Sequence, residues 1–145
     1  MLEVRANVDI DRPATDVFVY IADMSNNPAW PKGMQGWRWT SDPPLRLGST
    51  YGQVARFLGR EIVSSFEVTE FVDGERIRIE STSGSMPLDI TRSVVARGDG
   101  ACSVSAIVRG DASGIFSLAE PLMRKMVGRS VDGDYERLKA QLEAP

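Results

Sequence analysis

The feature that most constrains this chain is an alternation of apolar and polar residues with a period of two, which recurs along most of its length. Between Leu2 and Ile10 every even position is apolar and every odd position is polar. This alternation is typical of a β-strand that buries one face and exposes the other. A sheet of such strands needs a cover for its apolar face, and the only large one that the sequence offers is a C-terminal helix.

Turn residues divide the rest of the alternating region into strands. Gly and Asp mark turns at 58–60, 73–74 and 98–100, and Ser-Asp-Pro-Pro forms a loop at 41–44. Hairpin turns join antiparallel neighbours, so we expect an antiparallel sheet of about seven strands. Beyond the first strand, these are expected around Trp37 and Trp39 and over residues 49–58, 61–72, 75–83, 87–97 and 101–109.

Strand parity predicts which side chains face the covering helix. The apolar members of this inner face are Val4, Val8, Val54, Ile62, Phe66, Val68, Ile77, Ile79, Leu88, Ile90, Val104, Ala106 and Val108. Four polar residues share the inward parity, namely Ser64, Ser81, Ser83 and Arg92. Polar groups in an apolar space are costly unless they find a partner, so these four are candidates for contact with a ligand.

Helical spacing appears in two parts of the chain. A short helix is predicted over 14–23, after Pro13, with a further turn around 25–30. The second part follows Gly114, and from Pro121 to Glu143 it predicts a helix about 34 Å long. Its apolar stripe consists of Ile115, Leu118, Leu122, Met126, Val127, Tyr135, Leu138 and Leu142.

Composition excludes several kinds of function. The chain has no histidine and one cysteine, Cys102, which excludes Ser-His-Asp and Cys-His catalysis, histidine metal ligands and an internal disulfide. A net charge of -3 provides no basic surplus for nucleic acid, and no apolar stretch is long enough to predict a membrane span. We therefore expect no metal or other cofactor, no nucleic-acid partner, and a cytoplasmic location.

Three segments of the sequence are similar to a known superfamily. They are IDRPATDVFVYIADMSNNPAWPKGM near the N-terminus, GSTYGQVARFLGREIVSSFEVTEF in the middle, and SGIFSLAEPLMRKMVGRSVDGDYERLKAQLEA at the C-terminal end. With the order of the elements, they resemble the START/Bet v 1-like (SRPBCC) superfamily, especially its bacterial polyketide cyclase/dehydrase-like branch. The resemblance covers nearly the whole chain, so residues 1–145 are expected to form one such domain.

This resemblance implies an α+β helix-grip fold, in which a curved antiparallel sheet wraps around the long C-terminal helix, with two short helices between strands 1 and 2. It also implies an internal cavity for a small apolar molecule such as a lipid, polyketide, sterol or aromatic. Binding, with transport as an extension, is the favoured function. The alternatives are a polyketide cyclase/dehydratase-like enzyme and a protein-interaction module with a closed core, and the chain could act as a homodimer.

The predicted ligand-binding residues combine inward-facing polar and apolar side chains with a group of aromatic ones. Arg92 stands out because a buried guanidinium needs a carboxylate or an anionic ligand group as its partner, unless it reaches solvent at the strand's end. The aromatic group consists of Trp37, Trp39 and Tyr51, and it could stack on a flat ligand or pack under the second short helix. The full set is Trp30, Trp37, Trp39, Tyr51, Phe66, Ser64, Ile79, Ser81, Leu88, Arg92, Met123 and Met126.

The sequence singles out no pair of catalytic carboxylates, since Glu67 and Asp89 both have outward parity. A different question is raised by the segment NNPAWPKGM, in which Trp30 lies between Pro28 and Pro31. Each proline fixes φ and removes a backbone donor, so the segment is stiff without regular hydrogen bonds. Trp30 is interpreted either as a permanent stopper at one edge of the interior or as one wall of a ligand entrance.

Overall fold

A computed structural model describes residues 2–23, 34–84, 86–111 and 119–144 of the chain. In this part, the strands are β1 (Leu2–Ile10), β2 (Met34–Trp39), β3 (Thr50–Phe57), β4 (Arg60–Val72), β5 (Arg76–Gly84), β6 (Leu88–Ala96) and β7 (Cys102–Gly110). The helices are α1 (Ala14–Ala22) and α2 (Glu120–Glu143). The second short helix expected around 25–30, and with it Trp30, lies outside the described residues.

The strands form one antiparallel sheet in the order β1-β7-β6-β5-β4-β3-β2. Its register shifts between Met34 and Gly36 in β2 and at two places along the β4–β5 pair. Such bulges bend strands and increase their twist, which curves the sheet towards the helix. The seven antiparallel strands and the long C-terminal helix confirm the predicted helix-grip fold.

Helix α1 forms where the apolar residues take helical spacing. Its buried face consists of Val17, Phe18 and Ile21, and the amide of Val17 donates to the carbonyl of Pro13 at 3.1 Å. Phe18 packs edge to face against Phe71 on β4, with ring centroids 5.9 Å apart. This helix therefore closes one end of the core.

Helix α2 has 24 residues and is about 36 Å long. Its C-terminal end is fixed to the chain that follows β1, because Arg12 Nη1 donates to the carbonyl of Leu142 and the Asp11 amide donates to the Glu143 carboxylate, each at 2.8 Å. A cation at the last turn also suits the negative end of the helix dipole. The helix is thereby anchored beside one edge of the sheet.

One position of the predicted stripe on α2 is wrong. Leu122 is 47% exposed, and the neighbouring Met123 is buried in its place, against Leu2 and Val4 on β1. Tyr135, Leu138 and Leu142 are buried as expected, whereas Ile115 and Leu118 lie outside the described residues. Pairing of the helix with β1 sets its rotation, and the spacing of apolar residues alone did not reveal that partner.

Strand parity is confirmed for most of the inner face. Val4, Val8, Ile62, Phe66, Val68, Ile77, Ile79, Val104 and Ala106 are buried, and Leu88, Ile90 and Val108 are partly buried. On the outer face, Arg78 forms a bidentate ion pair with Asp89, at 3.0 and 2.7 Å, as expected for residues of outward parity. The two sides of the sheet are therefore chemically distinct.

The inward assignment of Val54 is wrong. Val54 pairs with Val63, which is 56% exposed on the outer face. The inner face of β3 instead carries Tyr51, Gln53 and Ala55, of which Tyr51 is fully buried. The error arose because Val54 is the most apolar residue of this stretch, although its neighbours on either side carry the inward parity.

The inward assignment of Ser83 is also wrong. Along the β4–β5 pair, Ser65 lies opposite Ser83 but Phe66 lies opposite Ser81, so Thr82 is an extra residue at a bulge. A single inserted residue reverses the parity beyond it. Ser83 is consequently exposed.

Two glycines provide a matched test of the packing around the sheet. A Cβ at Gly128 of α2 would lie 3.7 Å from Val4 Cγ1, which is ordinary contact, so Gly128→Ala should raise the free energy of unfolding by about 0.5–1 kcal/mol. Gly84 has φ +133°, and a Cβ there would lie 2.8 Å from the Val63 carbonyl oxygen. Gly84→Ala should therefore lower the free energy of unfolding by about 1–3 kcal/mol.

Urea unfolding followed by far-ultraviolet circular dichroism measures both changes. A loss of stability in Gly128→Ala would contradict the spacing between α2 and β1, and an unchanged midpoint in Gly84→Ala would contradict the close approach of β5 to β4.

Candidate ligand-binding cavity

A cavity of about 180 Å³ lies between α2 and the concave face of the sheet. We call it the central cavity, and its lining includes inner-face residues of β3 to β7 together with one face of α2. The residues that line it are Met34, Gln53, Ala55, Arg56, Phe57, Ile62, Ser64, Ile79, Met86, Leu88, Ile90, Arg92, Val108, Val127, Ser130, Val131, Asp134 and Tyr135. Most of this surface is apolar, which is typical of small-molecule sites.

The cavity exists because α2 and the side chains of β3 and β4 do not fill this half of the sheet. The helix packs closest to β1, where Met123, Leu2 and Val4 form a compact cluster. On the far side, the inner positions of β3 and β4 include the small residues Ala55 and Ser64. A longer side chain at either position would occupy the space.

The polar end of the cavity is formed by Arg92 of β6 and Tyr135 of α2. Arg92 is only 9% exposed, and its Nε donates a hydrogen bond to the Tyr135 hydroxyl oxygen at 3.0 Å. The bond joins the sheet to the helix across the cavity. Asp134, which also lines the cavity, forms an ion pair with Arg137 one turn along the helix.

Burial fixes the protonation states at this end. It raises the pKa of Tyr135, although the Arg92 charge and hydrogen bond oppose it, and it raises the pKa of Tyr51 in the same way. Burial alone would lower the pKa of Arg92, but Tyr135, Tyr51 and Asp134 outweigh it and the net pKa is raised. At neutral pH the guanidinium is therefore charged and both phenols keep their protons.

Two buried hydroxyls near the cavity have no hydrogen-bond partner among the described residues. They are the Tyr51 hydroxyl and Ser64 Oγ. Gly84 lies over Ser64, since a Cβ there would approach Ser64 Oγ to 2.9 Å. Burying a hydroxyl without a partner costs free energy, so this region has hydrogen-bonding capacity that the described residues around it do not satisfy.

Four of the residues predicted to bind a ligand line the central cavity: Ser64, Ile79, Leu88 and Arg92. Tyr51 and Phe66 occupy the next inward-facing positions on β3 and β4. Both are fully buried, and their rings stack with centroids 5.5 Å apart. They support the polar end without forming its surface.

The other predicted residues that the structure describes lie apart from the cavity lining. Trp37 and Trp39 share one face of the edge strand β2, as expected, with ring centroids 5.6 Å apart in an edge-to-face arrangement. Ser81 Oγ accepts a hydrogen bond from the Leu88 amide at 2.9 Å. Met123 packs against β1, Met126 faces a neighbouring groove, and Trp30 is outside the described residues.

Sequence reasoning missed several residues that define the cavity. Gln53 and Ala55 share the parity of Tyr51, so a correct parity for β3 would have found them. Tyr135 was assigned to the apolar stripe of α2 but not to a site. Its pairing with Arg92 depends on a contact between residues 43 positions apart, which has no local signal.

A second concavity, which we call the outer groove, adjoins the central cavity. Its volume is about 370 Å³, and it is lined by Phe57, Leu58, Met126, Arg129, Ser130, Gly133 and Arg137. Phe57 and Ser130 line both spaces, so these two side chains separate the groove from the cavity.

The described residues also bear on two other kinds of function. Within residues 2–23, 34–84, 86–111 and 119–144, no cluster of three or more Cys, Asp and Glu side chains is placed to hold a metal ion. Neither described helix combines the length and the apolar character needed to cross a membrane.

Solved structures match this fold over nearly the whole chain. A START superfamily protein from Mycobacterium smegmatis matches with a TM-score of 0.84 at 15% identity, over 97% of both chains. A protein from Thermus thermophilus matches with a TM-score of 0.81 at 18% identity, over 97% of this chain and 96% of that one. At these identities, the likeness concerns the fold.

A third match is the di-domain ARO/CYC BexL from the BE-7585A biosynthetic pathway, with a TM-score of 0.73 at 15% identity. It covers 99% of this chain and 50% of that chain, so this chain corresponds in length to half of BexL. A comparison with curated proteins finds no match.

A family model also matches nearly the whole chain. The model of the family described as polyketide cyclase / dehydrase and lipid transport matches residues 1–143 of this chain. The match includes every strand and both helices described above. The chain therefore belongs to the polyketide cyclase / dehydrase and lipid transport family.

Proposed function

We propose that this protein binds a small, mainly apolar molecule in the central cavity, with an oxygen atom of that molecule directed at Arg92 and Tyr135. The observation that carries the proposal is an apolar cavity whose polar end consists of a buried, charged guanidinium and a buried phenol. Family membership supports a hydrophobic ligand-binding or cyclase-like role. The kind of ligand is argued from the cavity itself.

The size of the cavity limits the part of a ligand that it can enclose. Its volume is about 180 Å³, whereas sites for drug-sized ligands usually exceed about 300 Å³. An apolar cavity of about 150 Å³ suffices for one benzene ring. The central cavity therefore suits a single ring or a short branched chain.

The polar end favours an oxygen acceptor. A guanidinium carries five N–H donors, and a phenol that accepts a hydrogen bond from Arg92 can still donate its own proton. Hydrogen bonds from a charged donor contribute about 1.5–3 kcal/mol. A carbonyl or similar oxygen on an otherwise apolar ligand would complement Arg92 and Tyr135 without leaving the ligand's polar atom unsatisfied.

A cyclase-like enzyme is the second candidate, and the same two side chains favour it. Arg92 and Tyr135 could stabilise an enolate oxygen as negative charge develops on it, and the enclosed space could hold a reactive chain in a folded conformation. Proton removal has less support, since Asp134, the carboxylate among the described lining residues, is paired with Arg137. A module with a closed core has the least support, because the interior contains a cavity.

Filling the cavity should weaken binding. Ala55→Phe places a ring in the central cavity, and we expect it to weaken the affinity for isopropylbenzene at least tenfold, as measured by chemical-shift titration. The matched control is Val54→Phe, one residue away on the outer face, which should leave the affinity unchanged. Equal affinities in the two variants would contradict binding in this cavity.

The polar end should discriminate between ligands of equal shape. Acetophenone has a carbonyl oxygen where isopropylbenzene has a methyl group. Arg92→Met should weaken the binding of acetophenone about tenfold and leave the binding of isopropylbenzene unchanged or tighter. Replacing a buried charge with an apolar side chain of similar size often preserves stability. Tyr135→Phe, which removes only one hydroxyl, provides a milder second variant. Parallel losses for both ligands would contradict a specific role for Arg92.

A further inference from the structure

The central cavity is too small for an extended apolar chain, but a second space adjoins it. The outer groove holds about 370 Å³ and shares Phe57 and Ser130 with the cavity. Together the two spaces fall within the usual range for ligand sites, whereas the central cavity alone falls below it. A ligand longer than one ring would therefore have to extend past Phe57 into the groove.

The groove combines apolar and basic side chains. Leu58 and Met126 supply apolar surface, and Arg129 and Arg137 lie eight residues apart on α2, two turns along the same side of the helix. Gly133 lies between them, and a Cβ there would lie 3.6 Å from Arg137 Nη1. Because this position carries no side chain, the groove stays open beside the Arg137 guanidinium.

Local charge in the groove differs from that of the whole chain. Arg137 is paired with Asp134, whereas Arg129 is exposed and forms no ion pair with any carboxylate in the described part of the chain. Arg56 lines the adjoining central cavity and donates from Nη1 to the Gly59 carbonyl at 3.2 Å. Although the chain has a net charge of -3, the groove therefore favours an anion.

The turn beside the groove has an unusual residue. Leu58 has φ +51° and Gly59 has φ +76°, the backbone of a two-residue type I′ hairpin turn, where Asn, Asp or Gly is preferred. A leucine in this conformation is strained, and its side chain is 41% exposed beside the groove. Strain of this kind often marks a position kept for contact with a ligand.

We infer that the outer groove is the entrance and outer half of the binding site, and that it selects amphiphiles with an anionic group. The apolar chain passes Phe57 into the central cavity, and a carboxylate or phosphate remains outside, near Arg129 and Arg137. This inference rests on the proposed function, because the chain of the ligand ends in the central cavity. The inference specifies the class of ligand, which is an apolar chain longer than the central cavity with an anionic group at its exposed end.

The experiment compares decyl phosphate with 1-decanol, which carries the same chain without the charge. Calorimetric titration of the full chain at low salt should give decyl phosphate about a fivefold advantage, since an exposed ion pair contributes up to about 1 kcal/mol. The advantage should shrink as salt screens the charges. Arg129→Gln should remove most of it, without changing the affinity for 1-decanol.

The matched control is Arg124→Gln, an exposed arginine on the same helix that is paired with Glu120 and does not line the groove. It should preserve the preference for decyl phosphate. If decyl phosphate binds no tighter than 1-decanol, or if the two arginine variants behave alike, the inference is overturned while the proposed function stands. If 1-decanol binding is unaffected by Ala55→Phe while isopropylbenzene binding is weakened, the inference is likewise overturned and the proposed function stands. If isopropylbenzene binding is unaffected by Ala55→Phe, the proposed function fails, and the inference fails with it.

A second variant tests the turn. Leu58→Asn should raise the unfolding midpoint, because asparagine suits the left-handed conformation, and should weaken both decyl ligands while leaving isopropylbenzene unchanged. A stabilised protein with unaltered affinity for the decyl ligands would show that Leu58 does not contact the chain, which would overturn its role at the entrance.

Discussion

The structure depends on how one helix covers the concave face of a seven-stranded sheet. Helix α2 is fixed at its C-terminal end by Arg12 and Asp11, and along its length it packs against β1, where Met123 contacts Leu2 and Val4. A helix is only about 10 Å wide with its side chains, so it cannot fill the width of a curved sheet. The central cavity is the part of the concave face that α2 leaves uncovered.

The same geometry explains why polar groups survive in the interior. A helix anchored at β1 presents Tyr135 towards β6, and Arg92 reaches it across the cavity. The guanidinium stays charged although it is buried, because the ordinary pKa of arginine lies far above neutral and its surroundings raise the pKa of Arg92 further. An apolar space with a fixed positive charge at one end imposes a direction on any ligand, which a wholly apolar cavity would not.

The hairpin between β3 and β4 lies beside the outer groove, through which we propose that a ligand reaches the central cavity. The strained Leu58 and the open position at Gly133 both lie at the outer groove, where each departs from what local stability favours. A glycine inside a helix and a leucine in a left-handed turn each cost stability. Two such departures beside one groove are consistent with selection for ligand passage over stability of the fold.

The sequence by itself determined the strands, their antiparallel pairing, both described helices and most of the inner face, because periods of two and 3.6 residues are local properties. It also indicated Arg92 as a polar residue of inward parity. Only the tertiary structure decided that Met123 and not Leu122 is buried on α2, that Val54 and Ser83 point outwards, and that Tyr135 meets Arg92. The physical reason is that a bulge, a helix rotation and a cavity arise from contacts between distant segments, and no local pattern of residues records the space that those contacts leave empty.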